Sequence, residues 1–153
     1  MKENQNLFRD LQEDFRKMKK NLLVAQSGGP TAAINATLAG VIKQAIKEEQ
    51  IDQVYEACYG IQGVLEQKFV NLTEKVDTEE KLEKLKRTPA AALGSCRFKL
   101  NDIKEDDSQY QEIVDILHKM NIGYFVYIGG NDSMDTVAKL SAYCKEKGVE
   151  DIK

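Results

Sequence analysis

Two short apolar runs, LLVAQ at residues 22–26 and YFVYI at 124–128, each lead into a glycine pair and then into a stretch with helical periodicity. That order constrains the fold more than any other feature. A short continuous apolar run ended by glycines reads as a strand covered on both faces, and such strands belong to parallel sheets with helical crossovers. After Ser27-Gly28-Gly29, the residues Ile34, Leu38, Val41, Ile42 and Ala45 recur at three- and four-residue intervals. The spacing predicts a helix from near Thr31 or Ala32 to about Glu49. After Gly129-Gly130 it predicts a helix from about Ser133 to Lys147 that buries Met134, Val137, Ala138, Leu140 and Cys144, with Gly148 as its stop.

The intervening chain fits the same alternation. QVYEAC at 53–58 reads as a second strand, Gly60 and Gly63 as a turn, and Leu82 with Leu85 as one face of a short amphipathic helix. Pro89 and Gly94 bracket a loop, TPAAALGSCR, and Ile113, Ile116, Leu117 and Met120 mark another helix. The expected fold class is α/β: an open, mostly parallel sheet with helices on both faces and right-handed crossovers. Residues 1–20 stand apart as a helical extension carrying Leu7, Leu11, Phe15 and Met18 at helical spacing, and residues 21–153 form the α/β domain. The alternation calls for another strand after VEDIK, so the domain is expected to be truncated and part of a longer protein.

Composition excludes several classes. The 153 residues suffice for one core. A net charge of −3 offers no bulk attraction for nucleic acid or a membrane surface. No apolar run approaches the roughly 20 residues of a membrane helix, and MKENQNLFRD has no apolar signal core. The expected location is the cytoplasm. Cys58, Cys96 and Cys144 lack zinc-ligand spacing, and Cys58 and Cys144 read as small buried hydrophobes. The single histidine, His118, reads as a solvated residue on a helix.

Three stretches carry chemistry. Ser27-Gly28-Gly29 lies between a strand and a helix, where small residues let backbone N–H groups approach an anion and the helix start adds partial positive charge. A tight turn without a ligand is the plain alternative. Gly129-Gly130-Asn131-Asp132-Ser133 repeats the arrangement at another strand end, so both can face one cleft. Asp132 in that turn also reads as an N-cap, with Asp135 completing a capping-box-like pair. In Gly94-Ser95-Cys96-Arg97-Phe98, the Arg97 guanidinium can reach a phosphate or stand free in solvent.

Taken together, these stretches resemble the N-terminal part of the bacterial-type 6-phosphofructokinases. The family's S-G-G with its Asn six residues on is matched by Ser27-Gly28-Gly29 and Asn35. Its G-S-x-R is matched by Gly94, Ser95, Cys96 and Arg97, and its G-G-D-G-S by Gly129, Gly130 and Ser133 around Asn131 and Asp132. The similarity spans roughly residues 21–150. It implies phosphoryl transfer to the 1-hydroxyl of fructose 6-phosphate with Mg2+ as cofactor, and a homo-oligomer in the complete enzyme. By position, Gly28 and Gly29 would contact the donor and Arg97 would steady the phosphoryl group in transfer. Gly129, Gly130, Asn131, Asp132 and Ser133 would hold donor phosphates. Asn131 stands where the family has its magnesium aspartate, and as a neutral ligand would act directly or through water. The resemblance also implies that the sugar-activating base lies in a T-I-D-N-D loop after residue 150, so this chain alone is expected to lack turnover.

Pro30, Ala32 and Ala33 depart from the ATP-using pattern, and GGPTAAIN with GGNDS is closest to the pyrophosphate-dependent branch. Ile61 stands where the ATP branch often has an aromatic residue. Asp132, glycine in ATP users, is expected to repel the α-phosphate of ATP. Unit charges about 4 Å apart interact by about 4 kcal/mol at a dielectric of about 20, against roughly 0.3–1 kcal/mol from a helix dipole. The alternatives are an ATP-dependent enzyme, a non-catalytic nucleotide- or anion-binding module, and a structural domain without a ligand.

Overall fold

A computed structural model describes residues 10–11, 13–14, 18–28 and 33–153. Its elements are β1 (Lys20–Gln26), α1 (Ile34–Ala45), β2 (Ile51–Ala57), α2 (Gly60–Leu65), β3 (Phe69–Asn71), α3 (Leu72–Lys75), α4 (Glu79–Arg87), α5 (Ser108–Lys119), β4 (Ile122–Ile128) and α6 (Asn131–Lys147). The sheet order is β3-β2-β1-β4. β1 runs parallel to β2 and β4, with Val24 opposite Glu56 and Val126, and β3 is antiparallel to β2.

β1 explains why LLVA, residues 22–25, is apolar throughout. Its neighbours on both sides take its backbone bonds, and its side chains alternate between two cores. Leu22 and Val24 pack with Leu38 and Ile42 of α1, Val54, and Leu82 of α4. Leu23 and Ala25 pack on the other face with Ile61 of α2, Ile113 and Leu117 of α5, and Leu140 and Tyr143 of α6. Helices therefore cover both faces, as expected. Thr78 caps α4 by accepting the Lys81 N–H at 3.3 Å.

Several local expectations are corrected. Gly60 and Gly63 lie in helix α2, not in a turn. α1 is shorter than its periodicity suggested, ending at Ala45. β3 is an edge strand that three residues of FVN were too short to announce. YFVYI is only half-buried, because β4 is the outer strand, with β1 on one side and only the backbone of Lys153 on the other. The face of α6 is rotated from the predicted one. Met134 is 68% exposed and Val137 37%, while Ser133, Thr136, Leu140, Tyr143 and Cys144 are buried. Leu7 and Phe15 of the N-terminal extension lie outside the described residues; Leu11 and Met18 are exposed. No helix among the described residues is long and apolar enough to cross a membrane.

Candidate functional site

A cleft of about 430 Å³ opens at the carboxyl ends of β1 and β4. Ser27 and Gly28 line it from the end of β1, Cys96, Arg97 and Phe98 from the 88–107 connection, and Tyr127 from β4. The start of α6 closes it with Gly130, Asn131, Asp132, Ser133 and Thr136. The three stretches singled out in the sequence thus meet in one place, although they are far apart in the chain. Gly29 and Pro30 lie outside the described residues.

The glycines play different parts. At Gly28 and Gly130 an added Cβ would meet nothing within 4 Å, so both border open space. Gly129 does not line the cleft. A Cβ there would run into the hydroxyls of Ser27 and Ser133, which are hydrogen-bonded to each other directly above it. This pair of buried hydroxyls clamps the two strand ends together, and the Ser27 N–H adds a 2.9 Å bond to the Ile128 carbonyl. Gly94 is required by backbone shape, with φ at +75° and the Tyr59 ring packed where a side chain would go.

α6 begins at Asn131 with Gly130 as its N-cap, and no side chain caps it. The N-cap expectation for Asp132 is therefore corrected. Asp132 sits in the first turn, where its charge favours the helix start, and its carboxylate is 3.7 Å from Lys99 Nζ. Asp135 makes no capping box; it pairs with Lys139 one turn on, at 2.8 Å. Asp132 and Lys99 are 75% and 76% exposed at their side chains, so water screens this charge far more than a dielectric of about 20 assumes. Arg97 is exposed and has no ion-pair partner among the described residues, which leaves its guanidinium available to an anion.

Tyr127 forms part of the floor and was hidden in the sequence as one letter of an apolar run. Its hydroxyl accepts the Ile61 N–H at 3.2 Å and lies 3.9 Å from the Cys96 sulfur. Burial, before any other cause, pushes its pKa up to about 12, so it holds its proton. Its ring stacks on Phe125 with centroids 5.8 Å apart. The period-two repeat of aromatics at 125 and 127 was the available signal. Lys99 and Thr136 were also unforeseen.

The thiols are free. Cys144 is buried as expected, but Cys58 is only half-buried and donates to Glu56 Oε1 at 3.3 Å, so it is not a plain hydrophobe. His118 lies exposed on α5, 3.0 Å from Asp151, outside the cleft.

Comparison with known proteins gives the same frame. The family model described as Phosphofructokinase matches residues 21–150. Pyrophosphate–fructose 6-phosphate 1-phosphotransferase of Rhodospirillum rubrum is 43% identical over 123 residues, covering 80% of this chain and 29% of that protein. The enzyme of the same name from Halomonas elongata is 40% identical over 129 residues, covering 84% and 30%. The crystal structure of a pyrophosphate-dependent phosphofructokinase from Nitrosospira multiformis superposes with a TM-score of 0.78 at 36% identity, covering 88% of this chain and 32% of that one. The chain therefore spans about 30% of the length of the curated relatives it matches.

Proposed function

The chain belongs to the phosphofructokinase family, and from that premise we propose that residues 21–153 are the phosphoryl-donor side of a pyrophosphate-dependent 6-phosphofructokinase acting in glycolysis. The observation that carries this is the cleft itself, where an unpaired arginine faces a strand-glycine-helix turn across open space. In the reaction, the bridging P–O bond of pyrophosphate breaks and a P–O bond forms to the 1-oxygen of fructose 6-phosphate. The hydroxyl proton goes to a base, and phosphate leaves. Such transfer depends on positioning and on neutralising charge over the transferring oxygens.

The chain's residues suit the donor end of that task. Gly28 and Gly130 leave room for phosphate oxygens beside backbone N–H groups. Arg97 offers a guanidinium fork to the group in transfer. The Ser27–Ser133 clamp holds the end of β1 and the start of α6 in fixed relation. Asp132 disfavours the extra α-phosphate of ATP, while pyrophosphate needs only the two terminal positions. Asp132 is also the only carboxylate lining the cleft among the described residues, and it stands at the donor turn. Among the described residues lining the cleft, no base for the sugar hydroxyl stands opposite it.

Magnesium fits the site sparingly. No group of three or more His, Cys, Asp or Glu gathers among the described residues. The Asn131 amide oxygen, which lines the cleft, would be the ligand the chain offers it, with water and phosphate oxygens supplying the rest. Bound there, it would neutralise phosphate charge. We place the protein in the cytoplasm and in a homo-oligomer when complete, with fructose 6-phosphate and the donor as its small-molecule partners.

Calorimetric titration of the chain with pyrophosphate, ATP and fructose 6-phosphate tests the reading. Pyrophosphate should bind most tightly, fructose 6-phosphate weakly or not at all, and no turnover should occur. Tighter binding of ATP than of pyrophosphate would assign the chain to the ATP-using branch. Absence of binding by either donor would refute the donor site.

A further inference from the structure

Gln26 and Asn35 are both fully buried polar residues that do not line the cleft. Gln26, the last residue of β1, donates from Nε2 to the Asn35 side-chain oxygen at 3.1 Å and to the Ile34 carbonyl at 3.4 Å. Its Oε1 accepts the Leu93 N–H at 2.9 Å. Asn35, in the first turn of α1, donates from Nδ2 to the carbonyls of Thr88 and Ala90, each at 2.6 Å, and its Oδ1 accepts the Ala92 N–H at 3.0 Å. Every polar side-chain atom of the pair is used.

The recipient of these bonds is the stretch leading to Arg97. Residues 88–100 form no helix or strand, so their backbone groups must find partners elsewhere. The segment also contains two left-handed residues, Ala90 at φ +61° and Gly94 at +75°. The two amides supply the partners between Thr88 and Leu93. Apolar residues would be cheaper to bury where β1 and α1 meet, so packing alone does not account for the choice. Gln26 is followed directly by Ser27 and Gly28, and Leu93 precedes Arg97 by four residues. One joint therefore ties the end of β1 and the start of α1 to the arginine loop.

We infer that Gln26 and Asn35 are a positioning pair that sets Arg97 against the donor turn. The inference rests on the donor reading above, and it acts through Arg97 rather than by contact with a ligand.

The test uses the full chain titrated with pyrophosphate by calorimetry, in Gln26→Met, Asn35→Asp, Arg97→Ala and the corresponding double variants, with circular dichroism to check folding. Each joint variant should lower pyrophosphate affinity about tenfold, the equivalent of one net hydrogen bond, and should have under about twofold effect once Arg97 is alanine, as expected for residues acting through one group. Amide exchange of residues 88–97 should quicken in Gln26→Met while the sheet stays protected. An unchanged affinity in a folded variant, a loss undiminished in the Arg97→Ala background, or unchanged exchange would overturn the inference. Unfolding of both variants would do so as well, by making the joint a folding determinant. If the unsubstituted chain binds no pyrophosphate, the donor reading fails, and the exchange measurement still decides whether the joint holds the loop.

Discussion

Replacing Asp132 by asparagine keeps the shape of the turn and removes its charge. The sequence alone suggested a large effect on donor choice, because about 4 kcal/mol separates charges about 4 Å apart at a dielectric of about 20. The structure lowers that figure. The carboxylate is three-quarters exposed and faces Lys99 at 3.7 Å, so the appropriate limit is close to water, where the same pair of charges interacts by about 1 kcal/mol. That corresponds to roughly fivefold in affinity, and Lys99 cancels part of it. Asp132→Asn should therefore improve ATP binding relative to pyrophosphate by up to about fivefold at low salt. The gain should shrink at high salt, since the Debye length falls from about 10 Å at 0.1 M to about 3 Å at 1 M. Asp132→Gly should move preference the same way, but it also frees the backbone at the start of α6 and is the less clean test. Lys99→Ala should weaken both donors, ATP more. The assay is calorimetric affinity for both donors at the two salt concentrations. An unchanged ATP-to-pyrophosphate ratio, or a change equally large in 1 M salt, would refute the idea that this charge selects the donor.

Three further outcomes concern stability. Burial raises the Glu56 carboxyl above its ordinary 4.5, so the folded protein holds that proton more tightly than the unfolded chain, and the stability this provides is present below the unfolded value and lost as pH rises through the folded one. Glu56→Gln should accordingly raise the Tm at pH 7 and leave it unchanged below pH 4.5; a pH-independent effect would contradict this. Gly63→Ala would press a Cβ into the Cys58 carbonyl oxygen and should cost about 1–3 kcal/mol, the usual range for overpacking, measured as a shifted urea midpoint. Ile42, fully buried under β1, should lose about 2–5 kcal/mol on truncation to alanine, whereas exposed Met134 should lose no more than about 0.5 kcal/mol; equal losses would restore the predicted face of α6.

The apolar runs, their glycine ends and the helical spacing of residues 34–45 were enough to specify parallel βα units, because a strand buried on both faces and a helix buried on one leave periods readable within a few residues. The three site stretches were legible for the same reason: a glycine turn and a loop arginine are local features. What lay opposite each element was not. A shift of one residue turns a helix face by about 100°, and only the packed sheet decided that α6 buries Ser133 and Thr136 rather than Met134 and Val137. The Ser27–Ser133 clamp spans 106 residues and the Gln26–Leu93 bond 67. A buried polar side chain is stable only when such a partner satisfies it, and no local pattern announces a partner that distant. Tyr127 likewise became a polar group of the cleft only once the fold brought Ile61 and Cys96 to its hydroxyl. The sequence by itself therefore determined strands β1, β2 and β4, the longer helices and the chemistry on offer, but not β3 or α2. The tertiary structure decided which side chains converge, because convergence depends on contacts between residues far apart in the chain.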